Sequence, residues 1–348
     1  MNARYHYSPQ LKIYDTIGFK WLQHLMFMNS PNYRSDICNT DIYGLRFNSK
    51  NNLELNKTIF DQETNKERAL MIGSSTTFGV GSTSDENTIP GFLSNNSNYF
   101  FYNFGGRAFN GFQEIILFQL LSKKLNGIKK IVLCSGMNDA YMTYNKSFIS
   151  RYPGPFYYNK NFLEQMDKTN LTFNRKILKF LLPNLEIDYR FINIKDLINY
   201  LFTKNFRDNY KSKKSFPMIE LEEIVTRNIH IWLLLSKSIN AELSFFFPPF
   251  LPWCKNKNNY SKEEEEIVNY LAVTKEKANY EYYDKIAQQY EKIKKLFEDL
   301  CKKSEIKFYD CNNLFQLSEN NKKWLFVDKV HLTDYGNKLI SDYIIDKS

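Results

Sequence analysis

From residue 68 onward, short dense apolar runs alternate with longer stretches whose apolar positions recur every three or four residues. Residues 69–72, 99–104, 130–134, 242–247 and 306–310 have strand length and apolar or aromatic density, and each predicts a buried strand. Residues 112–121, 218–238, 280–303 and 333–345 carry helical spacing. Strand and helix in alternation predict a parallel sheet with helices on both faces. Two further helices are predicted from acidic starts, one at 85–93 and one from 261, where Ser-Lys-Glu-Glu-Glu-Glu266 reads as a solvated helix N-terminus and not as a metal site.

Two regions depart from this rhythm. Residues 1–65 are aromatic and polar, with a short amphipathic helix predicted near 17–28, and read as an N-terminal extension packed on the core. Residues 141–216 combine the turn-rich aromatic patch Arg151-Tyr-Pro-Gly-Pro-Phe-Tyr-Tyr158 with basic stretches around 174–182 and 194–206 of helical character, and read as a cap inserted into a main domain spanning 66–348. Its aromatic side chains suit either the core of the cap or a surface on which a sugar ring stacks.

The chain has 348 residues, 43% of them apolar, with 29 Phe and 24 Tyr, so a sizeable core is available and disorder is excluded as its general state. The formal charge of +9 is dispersed along the chain and does not form the clustered footprint of a nucleic-acid binder, so no nucleic-acid partner is expected; an anionic sugar conjugate is compatible with it. Five cysteines without a close pair or C-x-x-C spacing predict reduced thiols in a cytoplasmic setting and no zinc site. The first residues lack the layout of a secretion signal, and no apolar run approaches the roughly 20 residues that span a bilayer.

The candidate chemistry sits just past the predicted strands, where open α/β sheets place their ligands. The first strand ends at Gly73 and is followed by Ser74, Ser75, Thr76 and Thr77; a helix-capping serine is the competing use of Ser74 or Ser75. The second leads into Asn103-Phe-Gly105-Gly106-Arg107-Ala108, and the third into Ser135-Gly-Met-Asn138-Asp139. Near the end stands Asp328-Lys-Val-His331. In this order the four stretches resemble the sequence blocks of the SGNH (GDSL-type) hydrolase superfamily, over residues 68–139 and about 218–348. Asp41-Ile-Tyr-Gly44-Leu-Arg46 is similar to a segment that precedes the first block in members from polysaccharide loci.

The resemblance implies a flavodoxin-like three-layer α/β/α sandwich with a five-stranded parallel sheet, and a serine esterase or acyltransferase that needs no cofactor or metal. Ser75 aligns with the nucleophile, His331 with the general base and Asp328 with the group that orients it. The other histidines, His6, His24 and His230, lie near a terminus or in predicted helices. For the oxyanion hole the resemblance implies the Ser75 N–H, the Asn138 side chain and an N–H of the glycine turn, with Gly106 and Ala108 both eligible. The family's donor glycine falls at Ala108, and Ser74 stands where the family often has aspartate. Asp139 is expected to anchor its own loop. Arg46, Arg107 and Tyr141 are the candidate substrate contacts, with a structural ion pair the favoured use of Arg46. The character of residues 141–216 points to a carbohydrate carrying an O-acyl, above all O-acetyl, group, and the resemblance to members from polysaccharide loci points to a bacterial surface glycan or its precursor. A sugar O-acetyltransferase and a catalytically silent glycan-binding protein are the alternatives.

Overall fold

Strand β3 (Glu67–Gly73) is buried from Ala69 to its last residue, and the rest of the sheet assembles around it. The coordinates are a computed structural model, which describes residues 2–49, 57–62, 64–144, 156–158, 161, 162, 165, 217–274 and 277–347. Ahead of β3 lie helices α1 (Ala3–Tyr7) and α2 (Leu11–Thr16) and the antiparallel hairpin β1 (Phe19–Leu22) and β2 (Met26–Asn29). After it come α3 (Ser75–Phe78), α4 (Ile89–Asn96), β4 (Tyr99–Gly105), α5 (Gly111–Leu120), β5 (Ile128–Cys134) and α6 (Met137–Tyr144). Then follow α7 (Met218–Ser238), β6 (Glu242–Phe247), α8 (Leu251–Cys254), α9 (Lys262–Val273), α10 (Lys277–Ala287), α11 (Tyr290–Lys303), β7 (Lys307–Asp310), α12 (Cys311–Phe315) and α13 (Asp334–Lys347).

Five strands form one parallel sheet in the order β4-β3-β5-β6-β7. Counted along the chain within the sheet, this is 2-1-3-4-5, the doubly wound flavodoxin-like order. Alternate strand residues face opposite sides, as the pleat requires. Ala69, Met71, Val132 and Phe246 pack with Ile89 and Leu93 of α4 and Ile340 and Ile344 of α13. On the other face Phe245 meets Phe297 of α11, and Phe118 of α5 meets Trp232 of α7 edge-on. The register sets Gly73 opposite both Gly105 and Cys134, so three strands end level and their following loops share one edge.

The chain divides into two compact units, residues 1–157 with 218–348, and residues 158–217. The boundary expected at residue 141 falls instead after residue 157, with α6 in the unit that holds the sheet. The stretches at 174–182 and 194–206 lie outside the described residues.

Three local expectations are corrected. Residues 17–28 form the β1–β2 hairpin: Phe19 and Trp21 pack edge-on against Phe27, and Met26 takes the left-handed conformation (φ 66°) where the second strand begins. His24 is exposed in its turn. The long helix expected at 280–303 is broken at Gln288 and Gln289 into α10 and α11. Helix α4 starts only at Ile89 with Thr88 as its cap, leaving Asp85 buried outside the first turn.

Glu114 on α5 is 1% exposed and has the Ser135 hydroxyl beside it as a donor. Burial pushes its carboxyl up to about 8, and the nearby Asp139 adds to this. The folded protein therefore binds one proton more than the unfolded chain between the ordinary glutamate range and pH 8, and this contribution to stability is lost as the pH rises through that window. Glu114→Gln, which mimics the neutral acid, is expected to flatten the pH dependence and raise stability at pH 8. Urea midpoints of both proteins at pH 5 and pH 8 check this, and parallel pH dependence would refute it.

Candidate active site

Gly73 closes β3, and the next residues turn at once into α3, one helical turn lying across the strand ends. Ser74 precedes that turn but its side chain makes no capping bond. The Ser75 hydroxyl instead meets His331: Oγ and Nε2 are 2.8 Å apart. On the far side of the ring, His331 Nδ1 lies 2.7 Å from Asp328 Oδ2. Serine, imidazole and carboxylate thus form one hydrogen-bonded line across 256 residues of sequence separation.

The Asp328–His331 half is built locally. Val327 N–H donates to the His331 carbonyl (2.9 Å), closing a tight turn, and inside it Asp328 Oδ1 accepts the N–H groups of Val330 and His331, both at 2.8 Å. One carboxylate oxygen holds the turn while the other holds the imidazole. Burial alone would raise the Asp328 pKa, but His331, by charge and hydrogen bond, with Arg4 and the Val330 N–H, overrides it and holds the carboxyl down at about 2. An ionised Asp328 accepts the Nδ1–H proton and leaves the Nε2 lone pair turned to the Ser75 hydroxyl.

The loop after β4 supplies backbone donors. Gly106 N–H is taken by the Gly73 carbonyl at 3.0 Å, a rung that continues the β3–β4 ladder, and this removes Gly106 from the candidate oxyanion donors. Ala108 sits at φ 62°, the left-handed conformation for which glycine is suited. Among the described residues the N–H groups of Ala108 and Ser75 make no recorded hydrogen bond. Asn138 donates one amide hydrogen to the Phe109 carbonyl (2.7 Å) and retains the other. Asp139 does not serve its own loop alone: its carboxylate accepts the Gly111 N–H at the start of α5 (3.1 and 3.3 Å), tying the second and third loops together. Burial raises its carboxyl to about 6 despite that bond.

The three expected substrate contacts are engaged elsewhere. Arg46 is fully buried, paired with Asp85 at 2.7 Å and bonded to surrounding carbonyls, the ion-pair use that its sequence context favoured. The Arg107 guanidinium donates to Asn29 Oδ1 and to the carbonyls of Tyr14, Ile17 and Gly18, and lies over the Phe19 ring, fastening the N-terminal segment to the second loop. Tyr141 is 1% exposed, stacked on Tyr157 and packed against Tyr283. His6, His24 and His230 are exposed.

Sequence reading missed the groups that hold the two halves together. Asp334 accepts from Thr83 N–H (2.9 Å), the Thr83 hydroxyl and Asn87 Nδ2 (3.0 Å), and Asn337 donates to Ser82 Oγ and the Asn87 carbonyl, both at 3.0 Å. Glu264 corrects the view of the acidic run as wholly solvated. It is 1% exposed, pairs with Lys255, and accepts the N–H groups of Leu325 and Phe326 ahead of the Asp328 turn. The signal for Glu264 was present in Ser261-x-x-Glu264, a capping box. Among the described residues no group of three or more His, Cys, Asp or Glu is placed to hold a metal ion.

No family model matches the chain. A 3-deoxy-manno-octulosonate cytidylyltransferase of Wigglesworthia glossinidia brevipalpis is 24% identical over 181 residues, 51% of this chain and 68% of that protein. Among solved structures, an aryl esterase of M. smegmatis aligns with a TM-score of 0.43 at 10% identity, covering 81% of this chain and 97% of that one. A GDSL-like lipase from Bacteroides thetaiotaomicron gives 0.41 at 14% identity (82% and 91% covered). The acetyl xylan esterase AlAXEase gives 0.41 at 11% (80% and 98%). These likenesses are remote.

A left-handed alanine costs about 1 kcal/mol that glycine avoids. Ala108→Gly keeps the N–H in place and is expected to raise stability by up to about 1 kcal/mol, less the added freedom of the unfolded chain. Chemical unfolding of the two proteins under one condition measures the difference; a clear loss of stability would contradict the strain assigned to this residue.

Proposed function

We propose that the protein is an SGNH-type serine hydrolase that removes O-acyl groups, foremost O-acetyl, from a carbohydrate through an acyl-Ser75 intermediate. The observation that carries this reading is the line Asp328–His331–Ser75, with contacts of 2.7 and 2.8 Å, set at the level ends of three parallel strands.

In this reaction Ser75 Oγ attacks the acyl carbonyl carbon while His331 Nε2 takes the hydroxyl proton. The N–H groups of Ser75 and Ala108 and the second amide hydrogen of Asn138 receive the oxyanion. When the tetrahedral intermediate collapses, the sugar oxygen leaves with the proton from His331. Water then gives a proton to His331, attacks the acyl-enzyme and releases the carboxylic acid, restoring Ser75. Asp328 stays ionised throughout and stabilises the imidazolium.

The carbohydrate assignment rests on the aromatic, basic and asparagine-rich character of residues 141–216 and on the net charge of +9, which suits an anionic glycan. The same triad transfers the acyl group to a sugar hydroxyl if that hydroxyl replaces water. All five cysteines are free and buried, which fits a reducing, cytoplasmic setting. No helix among the described residues is long and apolar enough to cross a membrane.

A fluorophosphonate probe is expected to label the wild-type protein at Ser75 and to leave Ser75→Ala and His331→Ala unlabelled. Asp328→Asn is expected to lose about 10³–10⁴ in rate, as a mis-set imidazole does in other triads. Peptide mapping of the adduct locates the site, and labelling that survives Ser75→Ala would overturn the proposal. Acetate release from an O-acetylated glycan, against acetyl gain by an acceptor glycan, separates hydrolysis from transfer.

A further inference from the structure

The helical turn that begins with Ser75 ends in carbonyls that no helical N–H can reach. The Phe78 and Gly79 carbonyls accept from Arg46 Nη1 at 3.1 and 2.9 Å. The N–H groups of Gly79 and Val80 in turn donate to the Ser75 carbonyl, both at 3.0 Å. Arg46 is therefore two hydrogen bonds away from Ser75, the residue that carries the candidate nucleophile. Gly79 lies close against it at φ 86°, where a Cβ would meet Arg46 Nη1 and the Thr88 side chain.

The remaining donors are fixed just as firmly. Nε binds Asp85 Oδ1 (2.7 Å), Nη1 also reaches the Tyr14 hydroxyl (2.9 Å), and Nη2 binds the Ile37 and Ser84 carbonyls (2.7 and 3.0 Å). Asp85 is itself held by the side chain and N–H of Asn39 (2.6 and 3.1 Å). The guanidinium lies between the Tyr14 and Phe78 rings, 5.5 Å from each centroid. A group with five N–H donors in a rigid fork is thus immobilised on one side by the N-terminal segment and on the other by the turn beginning at Ser75.

We infer that Arg46 is a positioning residue for acyl transfer: it makes residues 14–46 part of the catalytic unit by clamping the Gly79 end of the Ser75 turn. This inference rests on the proposed serine-hydrolase chemistry for its kinetic consequence, while the clamp itself is a property of the fold. Rate depends steeply on nucleophile placement, with a shift of about 1 Å costing on the order of 100-fold, whereas ground-state binding of a small ester does not require the turn to be exact.

The test uses the full chain with Arg46→Lys, which keeps the charge and loses the fork. Asn48→Ala serves as a reference variant, buried but bonded to Ser94 and Phe101, away from the turn. Two readouts are taken well below the unfolding transition. The first is kcat and KM for a small acetyl ester, with the rate of fluorophosphonate labelling; Arg46→Lys is expected to lose about 10- to 100-fold in kcat and labelling with KM within about twofold, as a nucleophile misplacement does. The second is amide hydrogen exchange, in which Gly79 and Val80 exchange at least about 10-fold faster in Arg46→Lys than in the wild type or in Asn48→Ala.

A folded Arg46→Lys that loses thermal stability while keeping wild-type kcat and wild-type exchange at Gly79 and Val80 would overturn the inference. If Arg46→Lys does not fold, Asp85→Asn, which leaves the carbonyls in place and removes the counter-charge, is read by the same criteria. Faster exchange at Gly79 and Val80 in a protein whose Ser75 never labels would support the clamp and reject the hydrolase reading, so the two failures are distinct.

Discussion

The site depends on a steric constraint at the strand ends: the Ser75 turn lies directly on backbone. A Cβ at Gly73 would overlap the Cys134 carbonyl and the Thr77 hydroxyl, and one at Gly105 would overlap the backbone of Thr77 and Phe78. Both strands must therefore end in residues without side chains for the turn to cross them. The same closeness lets Gly106 add a rung to the β3–β4 ladder through the Gly73 carbonyl. That rung consumes one N–H of the second loop and forces the chain to reverse within two residues. Ala108 takes up the reversal at φ 62°, so the conformation of the remaining donor follows from the packing of the strand before it.

Electrostatics at this edge is decided by partners more than by depth. Asp328, Glu114 and Asp139 are all shielded from water, yet Asp328 falls to about 2 while burial lifts Asp139 to about 6 and Glu114 to about 8. Asp328 faces an imidazole and two backbone N–H groups; Asp139 meets the Gly111 N–H with Arg227 near by; Glu114 meets the Ser135 hydroxyl while Asp139 adds like charge. The order of the three follows the number and charge of the donors each meets. A carboxylate that must stay ionised beside a histidine is thus placed inside its own turn, where the required donors come from the next three residues.

That locality explains what could be read from the chain. The strand runs, the serine after Gly73 and the D-x-x-H spacing are short-range patterns, and the structure brings Ser75, His331 and Asp328 into contact from them. The partners that the sequence does not name are long-range. Arg46 and Asp85 are 39 residues apart, Glu264 and Leu325 61, and Arg107 and Tyr14 93, and nothing in a charged residue's neighbours says whether a distant carbonyl will need it. The hairpin at Phe19–Asn29 was hidden for a related reason. Its aromatic residues fit helical spacing until Phe27 finds Phe109 in the second loop, a contact that favours the paired strands.

Why cations occupy the interior next to this edge follows from the same irregular backbone. A buried ion pair is weak evidence for stability, since apolar residues of equal volume often do as well. Around Arg46, however, an apolar replacement would leave the carbonyls of Ile37, Phe78, Gly79 and Ser84 without their donor, each at a cost of about 1–3 kcal/mol when buried. Arg107 answers three carbonyls and an amide oxygen in the same way. Loops that must reverse sharply to present a hydroxyl and an N–H turn their carbonyls inward, and a guanidinium, with five donors and no acceptor, can satisfy several at once. Part of the positive charge of this chain is therefore structural: it neutralises the acceptors created by folding irregular backbone against a sheet edge.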